Sequence, residues 1–163
     1  MDNMGKTGGF TLIELVFVLM LLGLLGTFLF YDQGGQEIPL RAQAEQVASD
    51  IRYVQNLGMT KGARYRINFS NSCVSSETAC YWISNADDTV KISNPASNAD
   101  EVALTHNITL LSTHSALLFN GKGAPFSTSG TAITSNAVIT LSLPGETSRT
   151  IAVNPETGYV VVQ

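Results

Sequence analysis

Charge is what this sequence has least of. Nine of its 163 residues are Lys or Arg and thirteen are Asp or Glu, 13% in all, where about a quarter is usual for a soluble domain. The balance is acidic, with a formal net charge of -4. That argues against a general nucleic-acid binder, whose affinity rests on neutralising phosphates. Cysteine is nearly as scarce, with only Cys73 and Cys80. Their spacing is not the CxxC of redox proteins, and no paired cysteines and histidines offer a zinc site. The two histidines, His106 and His114, are isolated. Serines lie close to His114 in the segment 112–115, but proximity along the chain does not make a triad. No nucleophile, metal set or phosphate loop stands out. The expectation is a non-enzyme with no cofactor and no metal.

What the chain does have is one long apolar run. Phe10 to Tyr31 reads FTLIELVFVLMLLGLLGTFLFY, with Glu14 as its single charge. As a helix this segment spans roughly 33 Å, enough for a bilayer core. It has no polar face, so it does not read as a surface helix of a globular domain. A secretory signal would have a shorter apolar region ending in a small-residue cleavage site. This run ends in aromatics and Asp32, which favours a membrane span or a filament core. Glu14 then needs an explanation, because a carboxylate inside an apolar span costs something like 2.5–3.5 kcal/mol on insertion scales. Either it sits near enough to the helix start to benefit from the positive N-terminus, or it meets a positive partner in an assembly.

The segment Gly8-Gly9-Phe10-Thr11-Leu12-Ile13-Glu14 resembles the class III signal of type IV pilins and type II secretion pseudopilins. The resemblance implies that a prepilin peptidase cuts between Gly9 and Phe10 and that Phe10 is then N-methylated. It also implies that Glu14, at the fifth mature position, pairs with the N-terminal amine of a neighbouring subunit during assembly. An α-amino group has a typical pKa near 8 and is largely cationic at neutral pH. Such a pair offsets the burial of Glu14 and acts as a register device more than as a source of stability. The leader departs from the family in charge: Lys6 is its only basic residue and Asp2 opposes it, so the usual orienting signal is weak.

Beyond the apolar run, Gly34, Gly35 and Pro39 interrupt the helical pattern, and proline bends or ends a helix. Residues 32–39 therefore read as a hinge. The stripe Leu40, Ala44, Val47, Ile51, Val54 and Gly58 predicts an amphipathic helix over 40–62, capped by Gly62 and packed on a sheet. Arg41, Glu45, Asp50, Arg52 and Gln55 fall largely off the stripe. Residues 63–163 read as a β-rich head. Strands are expected at 64–69, 81–83, 89–92, 108–111, 117–119, 138–143, 150–153 and 159–162. With a leader at 1–9 and the assembly helix at 10–31, the fold class is α+β and pilin-like: a long N-terminal helix followed by an antiparallel sheet.

The head narrows the resemblance. Ala48-Ser49-Asp50-Ile51-Arg52-Tyr53 and Met59-Thr60-Lys61-Gly62 are similar to H-type minor pseudopilins and their minor-pilin relatives. So are the turns Phe119-Asn120-Gly121-Lys122-Gly123 and Asn154-Pro155-Glu156-Thr157-Gly158. The resemblance implies a single-pass inner-membrane protein with a periplasmic head, recruited into a filament after processing. Its partners would be the prepilin peptidase, other pilins or pseudopilins, the inner-membrane assembly platform and, before assembly, the membrane. The filament would serve type II secretion or a type IV pilus, including the mannose-sensitive haemagglutinin kind. An alternative is a DNA-binding minor pilin for transformation. Relatives of that kind use basic residues near the C-terminus, whereas after Lys122 this chain has only Arg149, opposed by Glu146 and Glu156.

An outward-facing head lies in an oxidising compartment, so Cys73 and Cys80 read as a disulfide closing a hairpin loop. Such a short loop should contribute less than the roughly 3 kcal/mol expected for 15 residues. Asp87 and Asp88, and Asp100 and Glu101, form two acidic groups around Ser-Asn-Ala-Asp tetrads. Carboxylates suit calcium, but the EF-hand spacing is missing, and solvated loops are expected. The N-glycosylation patterns at Asn68 and Asn107 are read as chance.

Overall fold

The computed structural model describes the backbone of residues 11–31, 37–73 and 78–163; side chains are described for the same residues except 25–31, 37 and 38. The chain divides into two compact units, Met1–Gly35 and Gln36–Gln163. The first contains α1 (Leu12–Tyr31). The second contains α2 (Glu37–Lys61) and ten strands.

Helix α2 begins inside the segment read as a hinge, most of which lies outside the described residues. Pro39 is its third residue. In the first turn a backbone N–H has no partner within the helix, so proline's missing donor costs nothing there. The helix stops at Lys61, and Gly62 takes a positive φ of 61°, the left-handed cap that glycine adopts without strain. Leu40, Ala44, Val47, Ile51 and Val54 are all fully buried, and Ala48 joins them. The predicted stripe is therefore the face that enters the core.

The strands form two antiparallel sheets. The first contains β1 (Tyr65–Ser70), β2 (Cys80–Asn85), β3 (Lys91–Ile92), β4 (Val102–Ala103), β6 (Ala116–Phe119) and β7 (Pro125–Phe126). Its order is β3-β2-β1-β6-β7, with β4 also on β2. The second contains β5 (Thr109–Ser112), β8 (Ala137–Ser142), β9 (Arg149–Val153) and β10 (Val160–Val162), in the order β10-β9-β8-β5. One apolar core joins α2 to both: Ile67, Tyr81, Ile83, Leu117 and Phe119 enter it from the first sheet, and Ile139, Leu141, Ile151 and Val153 from the second. The period-2 alternation is cleanest in β8, where Ala137, Ile139 and Leu141 are buried and the residues between are half-buried.

Strand formation differs from the expectation at 89–92, where only Lys91 and Ile92 pair. The Asn85 side chain accepts the backbone N–H groups of Thr89 and Val90, and the Asn85 backbone N–H donates to Val90 O. The turn thus uses up the groups a longer strand would need. The short strands β4 and β7 were not expected: two residues leave too little periodicity to see, and Pro125 sits where an edge strand tolerates proline.

Two turns of the head converge on α2. Gln55 Nε2 donates to Gly123 O (2.9 Å) and to Thr157 O (3.0 Å). It thereby ties the turn after β6 to the turn before β10, and so one sheet to the other. The packing is tight enough to require glycine. A Cβ on Gly158 would lie 2.2 Å from Gly123 O, and Gly158 has a φ of 67°. The two motif turns of the sequence are therefore partners in space.

Candidate assembly surface

Gly9 and Phe10, the residues of the expected processing site, lie outside the described residues. The described chain opens on Thr11, which caps α1. Leu15 N donates to Thr11 O (3.1 Å), and Glu14 N lies 3.0 Å from Thr11 O and 3.4 Å from Thr11 Oγ1. Threonine followed three residues later by glutamate is the capping-box pattern. This role was missed in the sequence, although Thr11-Leu12-Ile13-Glu14 carries its signature. Glu14 is exposed and lies in the first turn of α1, where the positive helix end favours a carboxylate.

Every described side chain of α1 is exposed. The large apolar ones range from 44% at Val18 to 81% at Leu12. Exposure on all faces rules out the usual arrangement in which one stripe is buried and the opposite face is polar. A Cβ on Gly23 would meet nothing within 4 Å. Among the described residues, no helix is long and apolar enough to cross a membrane.

The other predicted positions fall in the head. Cys73 and Cys80 form a disulfide, with Cα atoms 5.8 Å apart. It closes the β1–β2 hairpin beside the Ser70–Cys80 pair. Glu101 lies near the two sulfur atoms, but sulfurs bonded to each other are not thiolate ligands, and Glu101 instead pairs with Lys91. Lys91 also stands over the Trp82 ring at 5.5 Å. Ser112 Oγ bonds to the backbone of His114 rather than to its ring. His106 Nδ1 lies 2.8 Å from Thr105 Oγ1. These contacts assemble no nucleophile and base.

Two carboxylates depart from the expectation. Asp88 was read as part of a solvated loop, yet it folds over the outer face of the first sheet. Its Oδ1 accepts from Ser84 Oγ (2.6 Å), Trp82 Nε1 (3.1 Å) and Asn68 Nδ2 (3.1 Å). Its Oδ2 lies 3.5 Å from Arg66. Partial burial pushes its pKa up, but the hydrogen bonds from Ser84 and Trp82, the Arg66 charge and the Asn68 amide outweigh that. The net result is a carboxyl held below its ordinary value. Asn68 is itself buried and committed to Ser84 and Asp88, so the sugar-acceptor pattern there has no free amide. Asp50 was placed off the buried stripe but is only 3% exposed. Its Oδ2 accepts from Tyr81 Oη (2.6 Å) and Asn94 Nδ2 (2.7 Å). Burial first, and the bond and charge of Asp50 next, push the Tyr81 hydroxyl pKa up. A buried carboxylate is tolerable only when bonded in this way, and this one hooks the loop after β3 onto α2.

No family model and no curated protein matches the chain by sequence. Its fold does match solved structures. A crystal structure of the type IV minor pilin FimU from Pseudomonas aeruginosa superposes with a TM-score of 0.56 at 12% identity, covering 78% of this chain and 90% of that one. A second crystal form gives a TM-score of 0.53 at 12% identity, covering 76% and 92%. The chain has the pilin-like α+β fold, a helix packed on antiparallel sheets.

Proposed function

We propose that the chain is a minor pilin or pseudopilin, a structural subunit of a periplasmic filament. The observation that carries the reading is α1: an apolar helix exposed on every described face, with one carboxylate in its first turn, in a chain whose other unit has the pilin-like fold. Such a helix needs a surrounding that is apolar on all sides. A bilayer supplies one, and a bundle of identical helices supplies another. Lipid tails are as apolar as leucine side chains, so passage from one to the other involves little hydrophobic free energy. What then distinguishes the two states is polar. Glu14 is costly in lipid and is matched in a bundle by a neighbour's amine.

On this reading the prepilin peptidase cleaves after Gly9, Phe10 is N-methylated, and residues 10–31 hold the chain in the inner membrane until the assembly platform extracts it. The head faces the periplasm, where the Cys73–Cys80 disulfide is at home. The resemblance of the head to H-type subunits supports a place in a type II secretion pseudopilus or a type IV pilus. The DNA-binding alternative is not advanced. Arg149, the one cation after Lys122, lies in β9 opposite Leu141 on the core side, and Glu146 and Glu156 outnumber it over the same stretch.

Mass spectrometry of the N-terminus of the chain, isolated from cells with a prepilin peptidase, tests the reading. A methylated Phe10 is expected, and a retained Met1 would overturn it. Glu14→Ala should leave membrane insertion intact and reduce incorporation into filaments; normal incorporation would sink the assembly role of Glu14.

A further inference from the structure

Three side chains with metal-ligating atoms converge at the start of β2. They are Cys73, Cys80 and Glu101, whose sulfur and carboxylate oxygen atoms all lie within 4.8 Å of one another. Backbone bonds, and not only the disulfide, hold them there. Cys73 N donates to Thr78 O (3.2 Å) across the hairpin. Cys80 pairs with Ser70 of β1 on one side and with Ala103 of β4 on the other. Glu101 immediately precedes β4, so the β2–β4 pairing brings it to the sulfurs. Cys80 is fully buried, whereas Cys73 and Glu101 are half-buried, so solvent reaches the cluster from their side. Opening the disulfide therefore frees two thiols that already stand beside a carboxylate.

We propose that the dithiol form of this chain binds a zinc-class divalent cation through the Cys73 and Cys80 thiolates and the Glu101 carboxylate. Zinc takes thiolate sulfur at about 2.3 Å and carboxylate oxygen at about 2.0–2.2 Å in tetrahedral sites, which puts neighbouring ligand atoms roughly 3–4 Å apart. Small rotations of the three side chains reach that spacing from the one observed. Two thiolates select zinc over the hard cations calcium and magnesium. Three protein ligands leave the fourth position to water. A dithiol reductant supplies two electrons and two protons to open the disulfide and itself becomes a disulfide. Zinc then displaces the two thiol protons to solvent, and Glu101 exchanges Lys91, its partner in the closed form, for the metal. A newly made chain carries the same two thiols before it is oxidised. Metal and disulfide are thus alternative closures of one hairpin, and thiolates held by the metal are withheld from oxidation.

The full-length chain in detergent, reduced with a dithiol, freed of it and kept anaerobic, is titrated with zinc alone against a chromophoric chelator. The reduced chain should bind one equivalent at this cluster and the oxidised chain none. Cys80→Ser should abolish the binding. Glu101→Gln should weaken it about tenfold, while Lys91→Gln, which breaks the same ion pair but keeps the ligand, leaves it unchanged or tighter. Zinc should also raise the melting temperature of the reduced head, which requires binding to the folded form, and slow its oxidation by glutathione disulfide severalfold. Equal binding by the wild type and Glu101→Gln, equal weakening in Glu101→Gln and Lys91→Gln, the same uptake by the oxidised chain, or a reduced head whose melting ignores zinc would overturn the proposal.

Discussion

The two helices of this chain use similar apolar side chains to opposite ends. In α2 the leucine, isoleucine and valine residues fall on one stripe, and that stripe is buried against two sheets within the same unit. In α1 they occupy every face, and every described one is exposed. The partner of α2 is part of its own unit, whereas no described side chain of α1 is buried. Periodicity, more than hydrophobicity, distinguishes the helix buried within its own unit from the one exposed on every described face.

The widest expected separation comes from matched phenylalanines. Phe119 is fully buried in β6 and Phe17 is 63% exposed in α1. Phe119→Ala should destabilise the head by about 3–5 kcal/mol, through lost burial and the cavity left behind. Phe17→Ala should leave head stability within about 0.5 kcal/mol. Thermal melting of the full chain in detergent measures both. Equal losses would mean that burial does not separate the two phenylalanines, and the comparison would fail.

Matched glycines give the next largest effect. At Gly158 a methyl group meets a backbone carbonyl that cannot swing away, and the left-handed φ adds strain. Gly158→Ala should cost about 3 kcal/mol in the same melting experiment. Gly23 has open space around it, and alanine is favoured there by roughly 0.8–1.0 kcal/mol as a helix former. Gly23→Ala should therefore leave head melting unchanged and raise the helix content of α1 by circular dichroism. A tolerated Gly158→Ala would show that Gln55 and the two turns it clasps can shift apart.

The contrast between the helices was legible in the sequence because it is a matter of period. The apolar run lacked a polar face, and the stripe from Leu40 to Val54 kept its spacing. Strand positions were largely legible for the same reason, as was the disulfide, given an oxidising compartment. What stayed hidden depends on partners distant in sequence. Asp50 and Asp88 look like surface acids until Tyr81, Asn94, Ser84 and Trp82 are brought to them. The meeting of the 120–124 and 154–158 turns through Gln55 likewise has no local signature. Of the candidate site, Glu14 lies in the first turn of α1, and the cap made by Thr11 was overlooked. The expected processing residues, Gly9 and Phe10, fall outside the described part of the chain.

The smallest effect sharpens the comparison between the surfaces of the two sheets. Only the first has a carboxylate whose ionised form is bonded to the fold. The pKa of Asp88 is lowered in the folded chain from its ordinary 3.8. A depressed carboxyl contributes stability that is fully present above its unfolded pKa and is lost as pH falls through the folded one. Asp88→Asn should therefore melt below the wild type at pH 7, and the gap should close as pH is lowered beneath 3.8. Asp88 is partly exposed, and solvent screening keeps the difference below about 1 kcal/mol. The second sheet offers a control, since Thr140→Val removes no ionisable group and its melting difference from the wild type should not change over the same pH range. A gap for Asp88→Asn that stayed constant with pH would mean that its hydrogen bonds are indifferent to the charge, and the nest over the first sheet would then be a matter of shape alone.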